Sequence, residues 1–585
     1  MRADGLKRQI SVRCVYDDRR PCKPPQSRVV PAEGGRRIGL SAGLFACAFA
    51  LLAARLVQVS FFVGEDPTLR RVVEAEGPRR EVTDRDGRPL IMNAKLTGFA
   101  IDGREVWDVE ETLRGVSRIF PQADEYRLRD RLAAHKYAHV TDTISEEQRA
   151  AIIALGLPGM RFPETMGRVY PQKGLAAHVT GYTIPGRGGA IGVEAALESD
   201  AFGTTAKEPL RLSIDLVAQQ ILEEELAGAI ETFSAKAGWG VMIDVHTGEV
   251  AALASLPDFN PNAPGDVPAA HWRNRAMADR YELGSAFKPI TVAAALDRGV
   301  IRMSDSFDVS RPIKVGGWEI KDYSRKKPVM SVSEIIQHSS NIGTVQIVQR
   351  LGAEAFEDSL SQLHLTTALQ TELPEMQAPA YSSAWRPAEL ASTSYGHGIA
   401  VTPIQLAAAF AAVVNGGEYR VPTFIAGHEQ KGAQVFSKDT SDQMRIILRR
   451  AVTDGTGRNA DLDGYYVIGK TATADKPQAG GYDEENGELV SSFIGAFPGY
   501  DPKYVLLVSI DEPAGTKATY GYATAGYVAA PVFRRVVERA APALGVMPVG
   551  DDVAFDGFLG LRRAEIAELD HQADPLTGLL EEALR

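Results

Sequence analysis

At 585 residues the chain is longer than one hydrophobic core usually fills, so several domains are expected. Its 44% apolar and 24% charged residues are those of an ordinary globular protein. The net charge of −11 is unevenly spread: residues 1–37 hold ten Lys/Arg and four Asp/Glu, leaving 54 basic against 71 acidic residues elsewhere. So acidic a body argues against a nucleic-acid partner.

The basic tail, 1–37, precedes "IGLSAGLFACAFALLAARLVQVSFFV", residues 38–63, with Arg55 as its one charge. About 20 apolar residues span a bilayer, an Arg near one end can snorkel, and the basic flank points inward. A cleaved signal peptide competes, since "ALLAA" offers small residues for processing. Signal cores are shorter and rarely follow so long a tail, which favours an uncleaved anchor with the body outside the inner membrane. Cys14 and Cys22 fall in the tail and Cys47 in the anchor. The body therefore has no intramolecular disulfide available.

Residues 64–205 mix short strand-like and helical runs. Ser145 and Gln148 have capping-box spacing and predict a helix start. "PGRGGAIG" misses the phosphate-loop spacing and reads as a turn. A second unit, 206–545, opens with two apolar runs around "HTGE", a hairpin signal. Helical runs follow, among them "AFKPITVAAALDRG" and "TPIQLAAAFAAVVNGG". "YYVIGKTATA", "SSFIGAFPGY" and "KYVLLVSIDEP" then read as strands. Strands at both ends of a helical middle predict an α+β domain whose first and last strands share an antiparallel sheet. Residues 546–585 form an acidic tail with a short helical pattern at "RRAEIAELDHQ".

Three short motifs carry candidate chemistry. In "YELGSAFKP", Ser285 and Lys288 are three apart and share a helical face. A hydroxyl is a weak nucleophile, and a lysine with a depressed pKa can take its proton. In "QHSSNIG", Ser339 offers a hydroxyl for proton transfer and Asn341 an amide for a peptide carbonyl. His338 beside them reads as structural, because no G-x-S-x-G elbow surrounds Ser285. In "VIGKTATA", alternation on a strand puts Lys470 and Ala472 on one side, Thr471 and Thr473 on the other. Each motif alone is ordinary; their order and their separation from one another make chance improbable.

With these motifs the chain resembles a class B penicillin-binding protein, a peptidoglycan D,D-transpeptidase, and within that class the septal, cell-division type. "RREVTDRDG", "RVYPQKGLAAHVTGY" and "GAIGVEAALE" resemble motifs of its elongated α+β pedestal, the dimerisation-like domain, with Arg80 where glycine is usual. "NRAMADRYELGSAFKP" resembles the division type's approach to the nucleophile, with Leu283 in place of a common proline. "DGTGRNADLDGYYVIGKTATA" matches too, with Ala472 where the family has glycine.

The resemblance implies that Ser285 attacks the penultimate D-Ala carbonyl of a D-Ala-D-Ala stem peptide and that Lys288 is its base. Ser339 would relay the proton to the departing D-Ala, and Asn341 would hold the donor peptide and position Lys288. Lys470 supplies positive potential, Thr471 and Thr473 hold the terminal carboxylate, and Ala472 lies between them. The N–H groups of Ser285 and Thr473 would form the oxyanion hole. β-Lactam antibiotics would acylate Ser285 in the same way. No cofactor or metal is implied; a membrane-embedded glycan polymerase and other divisome proteins are the implied partners. Rival readings are a β-lactamase or carboxypeptidase, an elongation-type transpeptidase, and a division scaffold whose turnover the Ala472 methyl impairs.

Overall fold

The computed structural model describes residues 79–550, apart from 185, 200–201, 203–207, 324–326, 429 and 477–487, and a few residues within 48–53. The tail 1–37, almost all of the expected anchor, residues 64–78 and the acidic tail from 551 onward lie outside the described residues. Among the described residues, no helix is long and apolar enough to cross a membrane.

The chain from residue 79 builds an α+β pedestal and an α+β catalytic domain. In the pedestal, β1 (Val82–Thr83) pairs with β2 (Pro89–Thr97), and β2 with β3 (Glu164–Val169). β4 (Leu210–Arg211) joins β1 in parallel, so the strand entering the second domain extends the pedestal sheet. The helix expected at Ser145 begins there: Ser145 and Gln148 cap each other reciprocally. The glycine-rich turn is a small hairpin, Thr183–Ile184 against Gly188–Gly189.

The Glu194 carboxylate is fully buried and accepts hydrogen bonds from Arg79, Arg168 and Tyr170. Three donors meet one charge, which is the condition under which a buried carboxylate is tolerated. Arg80, the departure from the family pattern, donates to the carbonyls of Phe202 and Glu208. It thereby ties the first pedestal strand to the chain leaving that domain.

The catalytic domain opens with α1 (Leu216–Thr232), whose N-terminus Asp215 caps by accepting from Val217 and Ala218. Next come β5 (Ala237–Asp244) and β6 (Val250–Leu256), the expected hairpin. Asp244 accepts the N–H groups of His246 and Thr247 across its turn. The last strands are β7 (Ile468–Asp475), β8 (Leu489–Phe497) and β9 (Tyr504–Asp511). The sheet order is β6-β5-β9-β8-β7, all antiparallel, with β5 against β9. First and last strands are thus neighbours, and β7 is left at the edge.

Alternation along buried strands gives this sheet two apolar faces. α1 and the C-terminal helix Ala529–Ala543 cover one. The other meets a larger core containing α2 (Lys288–Asp297) and the Pro403–Val414 helix. Every residue of that second helix is buried, as are the first nine of α2. A helix apolar all round belongs inside, and it carries any polar residue in its sequence inside with it.

Pedestal and catalytic domain meet where the Ala176 N–H donates to the carboxylate of Glu223 on α1, at 2.9 Å. Gln219 donates to the same oxygen at 2.7 Å. Burial pushes the Glu223 carboxyl up to about 7, despite these two donors. The folded form therefore holds this proton more tightly than the unfolded chain. Its stabilisation is complete below the unfolded carboxyl pKa and is lost as pH rises through about 7. Thermal unfolding should move to lower temperature between about pH 5 and pH 8, and Glu223→Gln should flatten that slope. An equal slope in wild type and variant would show that another group carries it.

Candidate active site

The nucleophile candidate sits at the start of α2. Ser285 lies in the 3₁₀ turn Gly284–Phe287, and Lys288 and Pro289 open the α-helix. Proline is tolerated there because the first helical N–H groups have no intrahelical acceptor. Leu283, where the family often has proline, is buried in the main core. The turn is held from outside as well: Gly284 N–H donates to the Gly396 carbonyl at 3.2 Å. A Cβ on Gly396 would stand 2.1 Å from the Gly284 oxygen, so only glycine permits this approach.

The three side chains expected to move the proton form one chain. Lys288 Nζ donates to the Ser339 carbonyl at 2.6 Å and to Ser339 Oγ at 3.1 Å. Ser339 Oγ donates to Ser285 Oγ at 2.8 Å. The hydroxyl of Ser339 therefore stands between nucleophile and base. With Lys288 neutral, both hydroxyl protons can rotate so that the chain runs from Ser285 to the amine. Ser339 adopts φ of 59°, the left-handed region that few residues other than glycine visit. Such strain persists only where neighbours over-determine the backbone, and it turns the hydroxyl toward Ser285.

Those neighbours are identifiable. α3 (Val332–Gln337) starts at a Ser331–Glu334 capping box and ends at His338, whose N–H donates to the Glu334 carbonyl. α4 (Asn341–Leu351) begins two residues after Ser339, with Ser340 as its cap. Asp322 reinforces that helix start. It accepts from Ser340 Oγ at 2.7 Å, Asn341 N–H at 2.6 Å and Ile342 N–H at 3.0 Å. The Asn341 amide donates to the Lys321 carbonyl at 3.2 Å. Ser339 is thus pinched between two capped helices.

Lys288 and Lys470 are both completely buried. Burial, and then the charge of Lys470, hold the Lys288 ammonium well below the usual lysine range, with Asp322 opposing weakly. Burial lowers Lys470 to about 7. Its Nζ donates to the Thr471 carbonyl at 2.9 Å.

β7 pairs with β8 without a register break from Ile468 to Asp475. Just beyond, the Lys476 N–H donates to the Glu488 carbonyl. Alternation then turns the backbone groups of Lys470, Ala472 and Ala474 toward β8 and those of Thr471 and Thr473 off the sheet edge. The Thr473 N–H therefore points off the sheet edge, away from β8. Thr471 Oγ1 shares a hydrogen bond with Thr456. Thr473 Oγ1 accepts the Ala525 N–H at 3.0 Å, which leaves its own proton to donate. Ala472 is 1% exposed, in the same core cluster as Ala286 and Phe287 of the nucleophile's turn. Its methyl occupies packed space beside an undistorted strand.

Asp322 has no signal in the sequence, whereas Gly396 and Thr456 lie within stretches that resemble the family, "SYGHGIA" and "DGTG". Their positions were therefore marked but not their roles. Asp322 lies 17 residues before Ser339, beyond the range of any local capping pattern. Among the described residues, no group of three or more His, Cys, Asp or Glu is arranged to hold a metal ion.

A serine linked through a second serine to a buried lysine, beside a sheet edge with outward N–H groups, defines a serine acyltransferase site of the penicillin-recognising class. Comparison with known proteins agrees. Residues 238–538 match the penicillin binding protein transpeptidase domain, and residues 74–203 match the penicillin-binding protein dimerisation domain. The chain is 39% identical to the probable peptidoglycan D,D-transpeptidase FtsI of Caulobacter vibrioides, over 80% of this chain and 82% of that one. It is 30% identical to the probable peptidoglycan D,D-transpeptidase PenA of Neisseria gonorrhoeae, over 88% and 94%. Identity to peptidoglycan D,D-transpeptidase FtsI of Escherichia coli K12 is 29%, over 88% and 92%. The chain belongs to the class B penicillin-binding proteins.

Two outcomes follow from this geometry. Ser339→Ala removes the link between Ser285 and Lys288, and should slow penicillin acylation of Ser285 by about 10²–10⁴-fold with little change in melting temperature. Normal acylation would place the base in direct contact with Ser285. Asp322→Ala removes a helix cap and should cost about 0.5–2 kcal/mol in denaturant unfolding, with slower acylation as well. Lost stability at full acylation rate would show that Asp322 does not place Ser339.

Proposed function

We propose that this protein is the peptidoglycan D,D-transpeptidase of septal cell-wall synthesis and that it works through a serine acyl-enzyme. The observation that carries the reading is the unbroken chain from Ser285 Oγ through Ser339 Oγ to Lys288 Nζ. Lys288, neutral through burial, accepts the Ser285 proton by way of Ser339 as Ser285 Oγ bonds to the penultimate D-Ala carbonyl carbon. The N–H groups of Ser285 and Thr473 receive the developing oxyanion. The same proton returns through Ser339 to the departing D-Ala nitrogen as the peptide bond breaks. An amine on a neighbouring stem peptide then displaces Ser285, forming the crosslink and giving Ser285 back its proton.

Lys470, Thr471 and Thr473 hold the donor's terminal carboxylate, and Asn341 steadies the donor peptide. A β-lactam enters the same path and stays on Ser285. The division type is supported by the two relatives named FtsI. The wider layout of our reading is a cytoplasmic tail over 1–37, a transmembrane anchor over 38–63, and a periplasmic pedestal over 64–205. The catalytic domain covers 206–545, and 546–585 form an acidic tail. The protein is then a single-pass inner-membrane protein working beside a glycan polymerase and other division proteins.

The scaffold alternative rested on the Ala472 methyl. The regular register of β7 and the intact side-chain relay speak against it. Fluorescent penicillin should label wild type and Ala472→Gly to a similar extent, and Ser285→Ala not at all. Ala472→Gly should also be less stable by about 1 kcal/mol, since glycine loses more freedom in a buried strand. No label on wild type, with label restored in Ala472→Gly, would mean that this methyl disables the site.

A further inference from the structure

His397 takes no part in the mechanism above, yet its segment, "YGHGIAV" from Tyr395 to Val401, runs along the approach to the nucleophile. Tyr281 and Val401 exchange backbone hydrogen bonds at 3.0 and 3.1 Å, as an antiparallel pair does. Nearer Ser285, Gly284 N–H donates to the Gly396 carbonyl at 3.2 Å, and Gly398 N–H donates to the Glu282 carboxylate at 3.1 Å. His397 stands between those two contacts, so its backbone is fixed beside the turn that carries Ser285.

The end of β7 closes on the same turn. A Cβ on Gly284 would stand 3.4 Å from Ala474 Cβ. Alternation puts Thr471, Thr473 and Asp475 on one side of β7, so Asp475 continues the row of the two threonines. Asp475 is exposed, and Glu282 and His397 are half-buried. The His397 ring lies 5.2 Å from that of Tyr395. The charged groups acting on it are Glu282 from the approach to Ser285, Lys288 from α2 and Asp475 from β7. Burial keeps the imidazole below the ordinary histidine range against the pull of the two carboxylates, which leaves it a neutral base at neutral pH.

Proton counting gives that base a task. Ser285, Ser339 and Lys288 pass one proton to the departing D-Ala and, in the second half of the reaction, return one to Ser285. An alkylamine acceptor arrives as an ammonium, with one proton more than this path uses, and it cannot attack until that proton is lost. Lys288 is completely buried and bonded only to Ser339 among the described residues. An extra proton left there would be an unpaired charge in the core. His397, partly open to solvent, can take a proton and release it.

We propose that His397 is the base that removes the first proton from the acceptor ammonium, which Glu282 and Asp475 draw to the cleft. The ammonium gives a proton to an imidazole nitrogen, and the freed electron pair of the amine bonds to the acyl carbon. The bond from that carbon to Ser285 Oγ breaks, and the second amine proton reaches Ser285 by way of Ser339 and Lys288. The two carboxylates stabilise the imidazolium until it returns its proton to water. The proposal rests on the acyl-enzyme reading and adds to it the chemistry of the second half.

The test uses the full-length protein in detergent, acylated by an acyl-D-alanyl thioester, and measures transfer of the acyl group to two acceptors. One is a stem tripeptide with a free side-chain alkylamine, an ammonium at neutral pH; the other is hydroxylamine, already unprotonated there. His397→Gln should slow transfer to the tripeptide about 10²-fold more than transfer to hydroxylamine. The wild-type tripeptide rate should rise with pH through the imidazole titration, below the ordinary histidine range, and the variant should lack that rise. Glu282→Gln/Asp475→Asn should raise KM for the tripeptide roughly tenfold with little change in kcat. Equal losses on both acceptors, an unchanged tripeptide rate, an unchanged KM in the double variant, or a matching loss in penicillin acylation of Ser285 overturns the proposal. Wild type that forms no acyl-enzyme at all would overturn the transpeptidase reading itself, so the two failures are distinguishable.

Discussion

The burial of Lys288 is the constraint on which the rest depends. An ammonium in a dry core without a carboxylate partner is expensive, and the protein relieves that cost by letting the group lose its proton. Lys470, equally buried, adds a like charge and pushes in the same direction. What is unfavourable for folding is useful for catalysis, since a neutral amine can accept the proton of Ser285 and an ammonium cannot. The only hydrogen-bond partners of Lys288 Nζ among the described residues are the two oxygens of Ser339. Both accept from it without adding a charge that would hold it as an ammonium.

The architecture serves this arrangement at several levels. A helix apolar on every side draws Lys288 into the interior. Two capped helices, one secured by the Ser331–Glu334 box and one by Asp322 and Ser340, meet at Ser339 and impose its left-handed backbone. The sheet order leaves β7 without a neighbour on its outer side among the described residues, and the register turns the Thr473 N–H off that edge. An edge strand is usually a hazard for aggregation; here the edge strand packs against the turn that carries Ser285.

Much of this could be read in the residues. Ser285, Lys288, Ser339 and Lys470 were legible because each motif has a chemical purpose and the three occur in order. The shared sheet of first and last strands followed from where the alternating apolar runs lie. The hairpin at "HTGE" and the cap at Ser145 are local, and local patterns are what spacing records. The placement of Ser339 between Ser285 and Lys288 was not legible, because it depends on one positive φ produced by helices on either side. Asp322 and the tie from Thr473 to Ala525 join residues far apart in sequence, and no periodicity encodes them. Ala472 looked like a defect by comparison with glycine, whereas in three dimensions its methyl fills core space beside a regular strand.

The protonation state of Lys288 is the most direct test. It can be read from the 13Cε and 15Nζ shifts of labelled lysine as pH is varied, assigned by loss of the signal in Lys288→Met. The expected result is a titration displaced far to the acid side of the exposed lysines, so that Lys288 is a neutral amine where they are still ammonium. A Lys288 that titrates together with the exposed lysines, remaining an ammonium through neutral pH, would contradict it.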